Sequence, residues 1–294
     1  MKKKFISITF LLLITFGMIG CGKNQVLKKE NVNETNQEQA TENKETTEEQ
    51  KENTNNNTEE QSQSQIDYIN IAPEEVKIPI LMYHSISDED PSNNLLVPPA
   101  MFEEQMAWLE ANNFTAMNMD EALEAMRTGK VPKRPVVITF DDGYANNYTS
   151  AFPSLKNHKL KATFFVITDG VDNGYYMSSD NLKEMQEAGM SIENHTANHL
   201  ELNNLSKTDA YESIKRAQDY LRNVIGSDGN YLCYPVGKYN DETIQIEEEL
   251  GIKAAVTTQG GFASINDGLH TLKRVRISPM SIEGFASIFS EYIN

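Results

Sequence analysis

The sequence predicts an α/β fold in which parallel strands are covered by helices. Short runs rich in β-branched and aromatic residues alternate with longer segments of helical character. Several helical segments begin at a capping residue, such as Asn240 before Thr243, and several end at a glycine, such as Gly129 and Gly251. Because strand–helix alternation returns the chain to the same edge of a sheet, it favours parallel pairing.

Seven strands and six helices are predicted in the folded part of the chain, residues 74–294. The strands are expected at 80–83 (I-L-M-Y), 136–140 (V-V-I-T-F), 162–166 (A-T-F-F-V), 190–193 (M-S-I-E), 231–234 (Y-L-C-Y), 254–257 (A-A-V-T) and 271–277 (T-L-K-R-V-R-I). The helices are expected at 99–112, 119–128, 145–156, 179–188, 207–225 and 240–250. No internal repeat is evident, and this length is enough for one sizeable core.

Two motifs carry the chemistry. V-I-T-F-D-D-G at 137–143 delivers Asp141 and Asp142 to the end of a strand, and H-T-A-N-H places His195 and His199 four positions apart after another strand. Each motif alone has an ordinary interpretation, because D-D-G is a common turn and histidine pairs occur on surfaces. Together, two histidines and one aspartate suit a catalytic zinc or similar divalent ion, and the second aspartate is free to act as a base.

These motifs resemble those of the NodB-type polysaccharide deacetylases, carbohydrate esterase family 4, over roughly residues 79–277. The resemblance implies that Asp141 is the catalytic base and that Asp142, His195 and His199 bind a divalent metal. Zinc is the first expectation, with cobalt and nickel as alternatives. The resemblance also implies a distorted (β/α) barrel with seven strands, which agrees with the strand count. Active sites of such barrels lie at the C-terminal ends of the strands.

Hydrolysis of an amide also needs a proton donor for the departing amine. In much of the family this is a histidine in an L-x-H motif, which this chain lacks in clean form. His158 and His270 precede strands and are expected at the wrong end of the barrel. His84 directly follows a strand, in an L-M-Y-H run that resembles the biofilm-polysaccharide branch of the family. We therefore predict that His84 is the acid; His270 is the alternative, and His84 could instead cap its strand or bind substrate.

The segment L-C-Y-P-V-G at 232–237 departs from the family's usual R-x-P-Y-G pattern. Cys233 stands where the family often has an arginine that orients the base, and a thiol cannot reproduce guanidinium hydrogen bonding. Another cation is therefore expected to serve, and Arg274 and Arg276 are the nearest candidates by motif order. Pro235 and Val236 are predicted to bind substrate, because a backbone N–H near Val236 can stabilise an oxyanion.

Three tyrosines are further candidates for binding substrate. Tyr144 directly follows the Asp-Asp-Gly turn, so we predict that it contacts the substrate. Tyr175 and Tyr176 lie in a loop after a strand, where they either stack on a sugar or pack in the ordinary way.

The N-terminus is typical of an exported protein. Residues 1–20 contain a basic start and a short apolar run, and small residues precede Cys21, which resembles a bacterial lipoprotein signal. Cleavage and lipidation at Cys21 would anchor the chain without spanning the membrane; an ordinary secretory signal is the alternative. Residues 21–73 are polar and acidic and are predicted to be a disordered tether. Only Cys233 remains, so no disulfide is expected.

The formal net charge of −17 makes nucleic acid and anionic lipid surfaces poor partners. The sequence favours a monomeric N-deacetylase that is lipid-anchored on the extracellular face of the bacterial cytoplasmic membrane and faces the cell wall. Its expected substrate is an N-acetylglucosamine-containing polysaccharide; peptidoglycan, chitin oligomers and poly-N-acetylglucosamine all remain open. The alternatives are an O-acetyl esterase of the same fold, acting on xylan or wall glycan, and a glycan-binding lipoprotein without turnover.

Overall fold

The computed structural model describes residues 66–293, and a closed ring of parallel strands organises them. The strands are β1 (Tyr68–Asn70), β2 (Ile80–Tyr83), β3 (Thr115–Met117), β4 (Lys130–Pro132), β5 (Pro135–Phe140), β6 (Thr163–Val166), β7 (Ser191–Asn194), β8 (Tyr231–Cys233), β9 (Ala254–Gly260) and β10 (Leu272–Arg276). The helices are α1 (Pro99–Ala111), α2 (Met119–Thr128), α3 (Phe152–Asn157), α4 (Ser179–Glu187), α5 (Lys207–Ile225), α6 (Asp241–Leu250), α7 (Ile282–Ile288) and α8 (Ser290–Ile293).

Seven strands form the barrel, in the order β2, β5, β6, β7, β8, β9, β10 and back to β2. All of these pairings are parallel. The pairing of β2 with β5 closes the ring, and in its register Tyr83 lies opposite Phe140. The predicted seven-stranded α/β barrel is therefore confirmed, and each predicted strand corresponds to one strand of the ring.

The structure adds elements that the sequence analysis did not predict. Tyr68–Asn70 pairs antiparallel with Lys130–Pro132, and β3 pairs with the first half of β5. The first of these strands falls inside the segment assigned to the tether, so the ordered chain reaches back beyond residue 74. The predicted helix at 145–156 is instead a π-helical segment, Asn147–Ala151, followed by α3. The predicted export signal and Cys21 lie outside the described residues.

Asn240 caps α6 as the sequence predicts, and Asn118, which was not predicted, caps α2. Each accepts a hydrogen bond from the backbone three residues on and completes a capping box. Gly129 and Gly251 end α2 and α6 in the left-handed conformation that glycine adopts without strain. None of the helices in residues 66–293 is long and apolar enough to cross a membrane.

Alternate residues of the barrel strands pack on opposite faces of the sheet. On β5, Ile138 and Phe140 belong to the core between the sheet and the helices. Val137 points the other way and belongs to a second cluster that includes Cys233 and Leu272. The ring-strand members of this second cluster fill the interior of the barrel, as expected for a small parallel barrel, and the cluster continues onto α2. The helices and the filled interior together hold the strand ends in fixed positions.

Glu193 is a buried carboxyl group in β7. Its carboxyl oxygens accept hydrogen bonds from the Ser191 hydroxyl, at 2.9 Å, and from the Tyr231 N–H, at 3.1 Å. Burial raises the pKa of Glu193 to about 7 despite these two bonds. Since an unfolded glutamate has a pKa of about 4.3, the native state binds this proton more tightly. The resulting stability is complete below about pH 4 and is lost as the pH rises through about 7.

We expect Glu193→Gln to stabilise the protein selectively at alkaline pH, because the amide never has to ionise in the buried site. The gain in the free energy of unfolding at pH 8 should be about 1 kcal/mol or more, or roughly 2–4 °C in Tm, and it should shrink towards pH 5. Urea unfolding at both pH values measures it, with the exposed Glu187→Gln on α4 as the matched control. A gain that does not depend on pH would contradict the assignment.

Candidate active site

The predicted site residues meet at the C-terminal ends of the barrel strands. Asp141 and Asp142 follow β5, His195 follows β7, and Pro235 lies two residues after the end of β8. His84 follows β2, and the register of β2 with β5 places it beside Asp141: His84 Nε2 lies 3.9 Å from Asp141 Oδ2. Parallel strands thus deliver polar side chains from distant parts of the sequence to one end of the barrel.

Asp142, His195 and His199 form a compact group of possible metal ligands. Asp142 Oδ1 lies 3.3 Å from both His195 Nε2 and His199 Nε2, and the three ligand atoms lie within 4.8 Å of one another. His195 Nδ1 is 2.7 Å from the Cys233 carbonyl oxygen, so the Nδ1–H donates there and leaves Nε2 free to bind an ion. Two imidazole nitrogens and one carboxylate oxygen suit a divalent ion with open positions.

Electrostatics favour the ligand form of Asp142. Burial alone would raise the pKa of its carboxyl, but the hydrogen bond and charge of His195 outweigh burial and lower that pKa. The carboxylate is therefore ionised at neutral pH, as metal binding requires.

Backbone strain is concentrated around these ligands. Asp142, Thr196 and His199 have φ values of 73°, 63° and 56°, which residues other than glycine rarely adopt. Local hydrogen bonds hold the histidine loop in this shape: Asn194 Oδ1 accepts from the Thr196 N–H at 2.7 Å, and Thr196 Oγ1 accepts from the His199 N–H at 3.0 Å. These two hydrogen bonds therefore hold the loop that carries both histidines in its strained shape.

Arg274 is the cation that pairs with Asp141; the sequence analysis had left this role open between Arg274 and Arg276. Its Nη1 and Nη2 donate to the two carboxylate oxygens of Asp141, at 2.7 and 2.8 Å, in a bidentate pair. Arg276, the other candidate, is exposed at the end of the same strand. Arg274 is 1% exposed, and Nη2 also donates to Cys233 Sγ at 3.2 Å. The small thiol of Cys233 thus leaves room for an arginine that arrives from β10.

Arg274 also fixes the protonation state of Asp141. Burial would raise the pKa of this carboxyl, but the charge and hydrogen bonds of Arg274 hold it well below its usual range. A second group of possible ligands, Asp141, His195 and Cys233, is also close together. Its carboxylate is bound to Arg274, its thiol accepts from the same guanidinium, and the His195 ring donates to a carbonyl. This group is therefore committed to protein contacts.

His84 is held by the π-helical segment that follows the Asp-Asp-Gly turn. Asn147 Nδ2 donates to the His84 carbonyl oxygen at 2.7 Å, and Asn146 binds the next two residues through Ser85 Oγ and the Ile86 N–H. These contacts were not predicted, because a π-helix leaves no clear sequence pattern. Burial lowers the pKa of His84, and Asp141 and Asp142 oppose this only in part.

The remaining histidines are paired elsewhere. His270 Nδ1 contacts Glu247 Oε2 of α6 at 2.6 Å, and this pairing raises the pKa of His270. His158 bridges Glu103 and Glu110 of α1, at 2.9 and 2.6 Å. Among the three histidines outside the ligand group, His84 alone contacts Asp141 in the described structure.

The predicted substrate-binding residues Tyr144, Pro235 and Val236 follow β5 and β8, at the same end of the barrel as the ligand group. The Tyr144 ring stacks on Tyr176 at 5.6 Å, and burial together with the Asp142 carboxylate raises the pKa of Tyr144, so its hydroxyl stays protonated. Pro235 begins a tight turn in which Val236 is 56% exposed and has a φ of 54°. A positive φ is unusual for a β-branched residue, and such strain is common where a backbone N–H must point at a ligand.

Comparison with known proteins places this site in a family. A profile described as polysaccharide deacetylase matches residues 128–255. The Bacillus subtilis (strain 168) protein YxkH, named as a polysaccharide deacetylase, is 40% identical over 218 residues, which cover 74% of this chain and 76% of the relative. The chain belongs to the polysaccharide deacetylase family. It is accordingly a hydrolase that acts on carbon–nitrogen bonds other than peptide bonds.

Further family members extend the comparison. A poly-β-1,6-N-acetyl-D-glucosamine N-deacetylase of Staphylococcus epidermidis is 28% identical, over 69% of this chain and 80% of the relative. The structure of the Streptococcus pyogenes deacetylase PplD, solved with acetate, is 35% identical and superposes with a TM-score of 0.70, over 74% of this chain and 99% of that chain. The Bacillus cereus polysaccharide deacetylase BC0361 is 30% identical, with a TM-score of 0.65 over 74% and 69% of the two chains.

We expect Arg274→Met to destabilise the protein by about 3–5 kcal/mol, because it leaves the buried Asp141 carboxylate unpaired. The double variant Arg274→Met/Asp141→Asn should be more stable than Arg274→Met alone, since no charge is then left without a partner. Urea unfolding tests both. The exposed Arg276→Met on the same strand is the matched control and should change stability by no more than about 0.5 kcal/mol. Additive losses in the double variant would refute the pairing argument.

Substitutions in the ligand group and at Asp141 should differ in their effect on metal binding. We expect Asp142→Ala, His195→Ala and His199→Ala each to lose bound divalent metal, because each removes one of three ligand atoms. Asp141→Asn should keep its metal, since Asp141 is bound to Arg274. Elemental analysis of the purified variants decides this, and a full complement of metal in all three ligand variants would exclude the site.

Proposed function

We propose that this family member removes N-acetyl groups from an N-acetylglucosamine-containing polysaccharide, with a divalent metal, zinc by first expectation, held by Asp142, His195 and His199. The observation that carries the proposal is the adjacency of this ligand group to Asp141 and His84 at the open end of the barrel. The name of the Staphylococcus epidermidis relative supports N-acetylglucosamine as the acetylated sugar. A bound divalent ion supplies Lewis-acid polarisation of the acetamide carbonyl and activation of water.

The protein's own residues perform the proton transfers. Asp141, held in place by Arg274, accepts a proton from the attacking water. Because Arg274 makes Asp141 a weak proton acceptor, the proton is more stable on His84, whose Nε2 lies 3.9 Å away. His84 then protonates the departing amine as the carbon–nitrogen bond breaks. The backbone N–H of Val236 donates to the developing oxyanion, and acetate and a free amino group are the products.

The proposed reaction is tested by acetate release from a panel of defined glycans. N-Acetylglucosamine oligomers and polymers should release acetate, whereas O-acetylated xylan should not. Asp141→Asn is the matched control and should retain metal but lose turnover by roughly a hundred- to ten-thousand-fold. Acetate release from xylan alone would favour the rival O-acetyl esterase of the same fold.

We expect His84→Ala to lose amide hydrolysis much more than hydrolysis of an activated aryl ester. A phenolate leaving group needs little protonation, whereas an amine needs a proton before it departs. His270→Ala should leave both reactions largely intact, because His270 is paired with Glu247. The ratio of amide to ester rates in each variant is the measurement. If His270→Ala alone lowers this ratio, the acid has been misassigned.

We further propose that the enzyme works as a lipid-anchored monomer on the extracellular face of the bacterial cytoplasmic membrane. Support comes from the signal at residues 1–20 and from Cys21. Metabolic labelling with a radioactive fatty acid tests the anchor: the unchanged protein should incorporate the label and Cys21→Ser should not, and an unlabelled wild type would argue for an ordinary secretory signal.

A further inference from the structure

The imidazole ring of His84 has no hydrogen bond of its own to any group in residues 66–293. Its Nδ1 is buried without a partner, and its Nε2 lies 3.9 Å from Asp141 Oδ2, beyond hydrogen-bond distance. Because a displacement of about 1 Å can cost about a hundredfold in rate, a proton donor has to be placed accurately. The ring of His84 must therefore be placed through its backbone and its packing.

The backbone at His84 lies just beyond the hydrogen bonds that join β2 to β5. The Tyr83 carbonyl oxygen, at the end of β2, still accepts from the Asp141 N–H at 3.0 Å. The next carbonyl oxygen along the chain is that of His84, and it accepts from Asn147 Nδ2 at 2.7 Å. A side-chain amide thus holds the backbone at the point where the strand pairing ends.

The π-helical turn that begins at Asn147 brings this amide to the strand end. The Phe152 N–H donates to the Asn147 carbonyl five residues back, and the wide turn suits Pro153, whose ring clashes with the carbonyl four residues before it in an α-helix. The preceding residue, Asn146, binds the two residues after His84. Single π-helical turns inside helices are frequent at functional sites.

Packing alone does not explain an asparagine at position 147. Its side chain is 0% exposed, and its Oδ1 has no hydrogen-bond partner in the part of the chain that the structure describes. Burying an amide with an unpaired oxygen opposes folding, whereas an apolar residue of the same shape avoids that cost. The hydrogen bond from Nδ2 to the His84 carbonyl is what the asparagine adds.

Resting on the proposed function, we propose that Asn147 is a positioning residue for the reaction. It fixes the backbone of His84 so that Nε2 stays beside Asp141 and faces the departing amine. Its role is exercised through His84 and not through contact with the substrate. The register of the π-helical turn is therefore part of the catalytic geometry.

Asn147→Leu tests this role because it removes the donor and keeps the shape; Asn147→Ala serves if the leucine variant does not fold. On N-acetylglucosamine oligomers we expect about a tenfold loss of kcat, with KM changed by less than about twofold, and on an aryl acetate a loss of less than about twofold. Added to His84→Ala, Asn147→Leu should change the amide rate by less than about twofold. Asn157→Leu, at an exposed asparagine that ends α3, is the matched control and should change neither reaction.

Three results would overturn the role: an equal loss of amide and ester hydrolysis, no loss of either, or a tenfold loss that persists without the His84 ring. Failure of the proposed function looks different, because the unchanged protein would then release no acetate from any oligomer. Failure of His84 as the acid would leave the ratio of amide to ester rates unaltered in His84→Ala. In both cases crystal structures of the unchanged protein and of Asn147→Leu decide. The distance from His84 Nε2 to Asp141 Oδ2 should lengthen by about 1 Å or more in the variant, and an unchanged distance refutes the proposal.

Discussion

The bidentate pair between Arg274 and Asp141 is the interaction on which the rest of the structure depends. Arg274 reaches across the interior of the barrel to groups on β5, β8 and β9, since Nε also donates to the Thr257 carbonyl at 2.9 Å and Nη1 to Thr139 Oγ1 at 3.1 Å. A buried charge is tolerable only when its hydrogen bonds are satisfied. The same contacts therefore stabilise the barrel and orient the carboxylate at its open end.

This pair also shapes the chemistry. A carboxylate that is held ionised by a guanidinium is well oriented but is a weak proton acceptor, so a second basic group must lie within reach. His84 meets that requirement because β2 and β5 are paired in register where the two strands end. The pairing of β2 with β5 thus sets the distance between Asp141 and His84. The hydrogen bonds of Asn146 and Asn147 to the segment that begins at His84 maintain it.

The sequence predicted the ring strands and the ligand group well because both depend on local patterns. Runs of β-branched and aromatic residues between helical segments marked the seven strands. Two motifs at strand ends indicated that Asp142, His195 and His199 lie together. It did not predict β1, β3 and β4, which are three residues each and carry little periodic signal. Nor could it choose between Arg274 and Arg276: they share one face of β10, and only depth in the barrel, which is a tertiary property, separates them.

The position of Arg274 along the chain has a consequence for how the protein matures. The strand that carries it is the last of the ring, so during synthesis β5 is complete long before its counter-charge exists. Until β10 docks, Asp141 must stay hydrated, and the barrel cannot close around it without leaving a buried charge unpaired. Loss of the final strand to a protease would likewise open the whole barrel rather than trim its edge. Closure of the ring therefore depends on β10, the strand that supplies the counter-charge of Asp141.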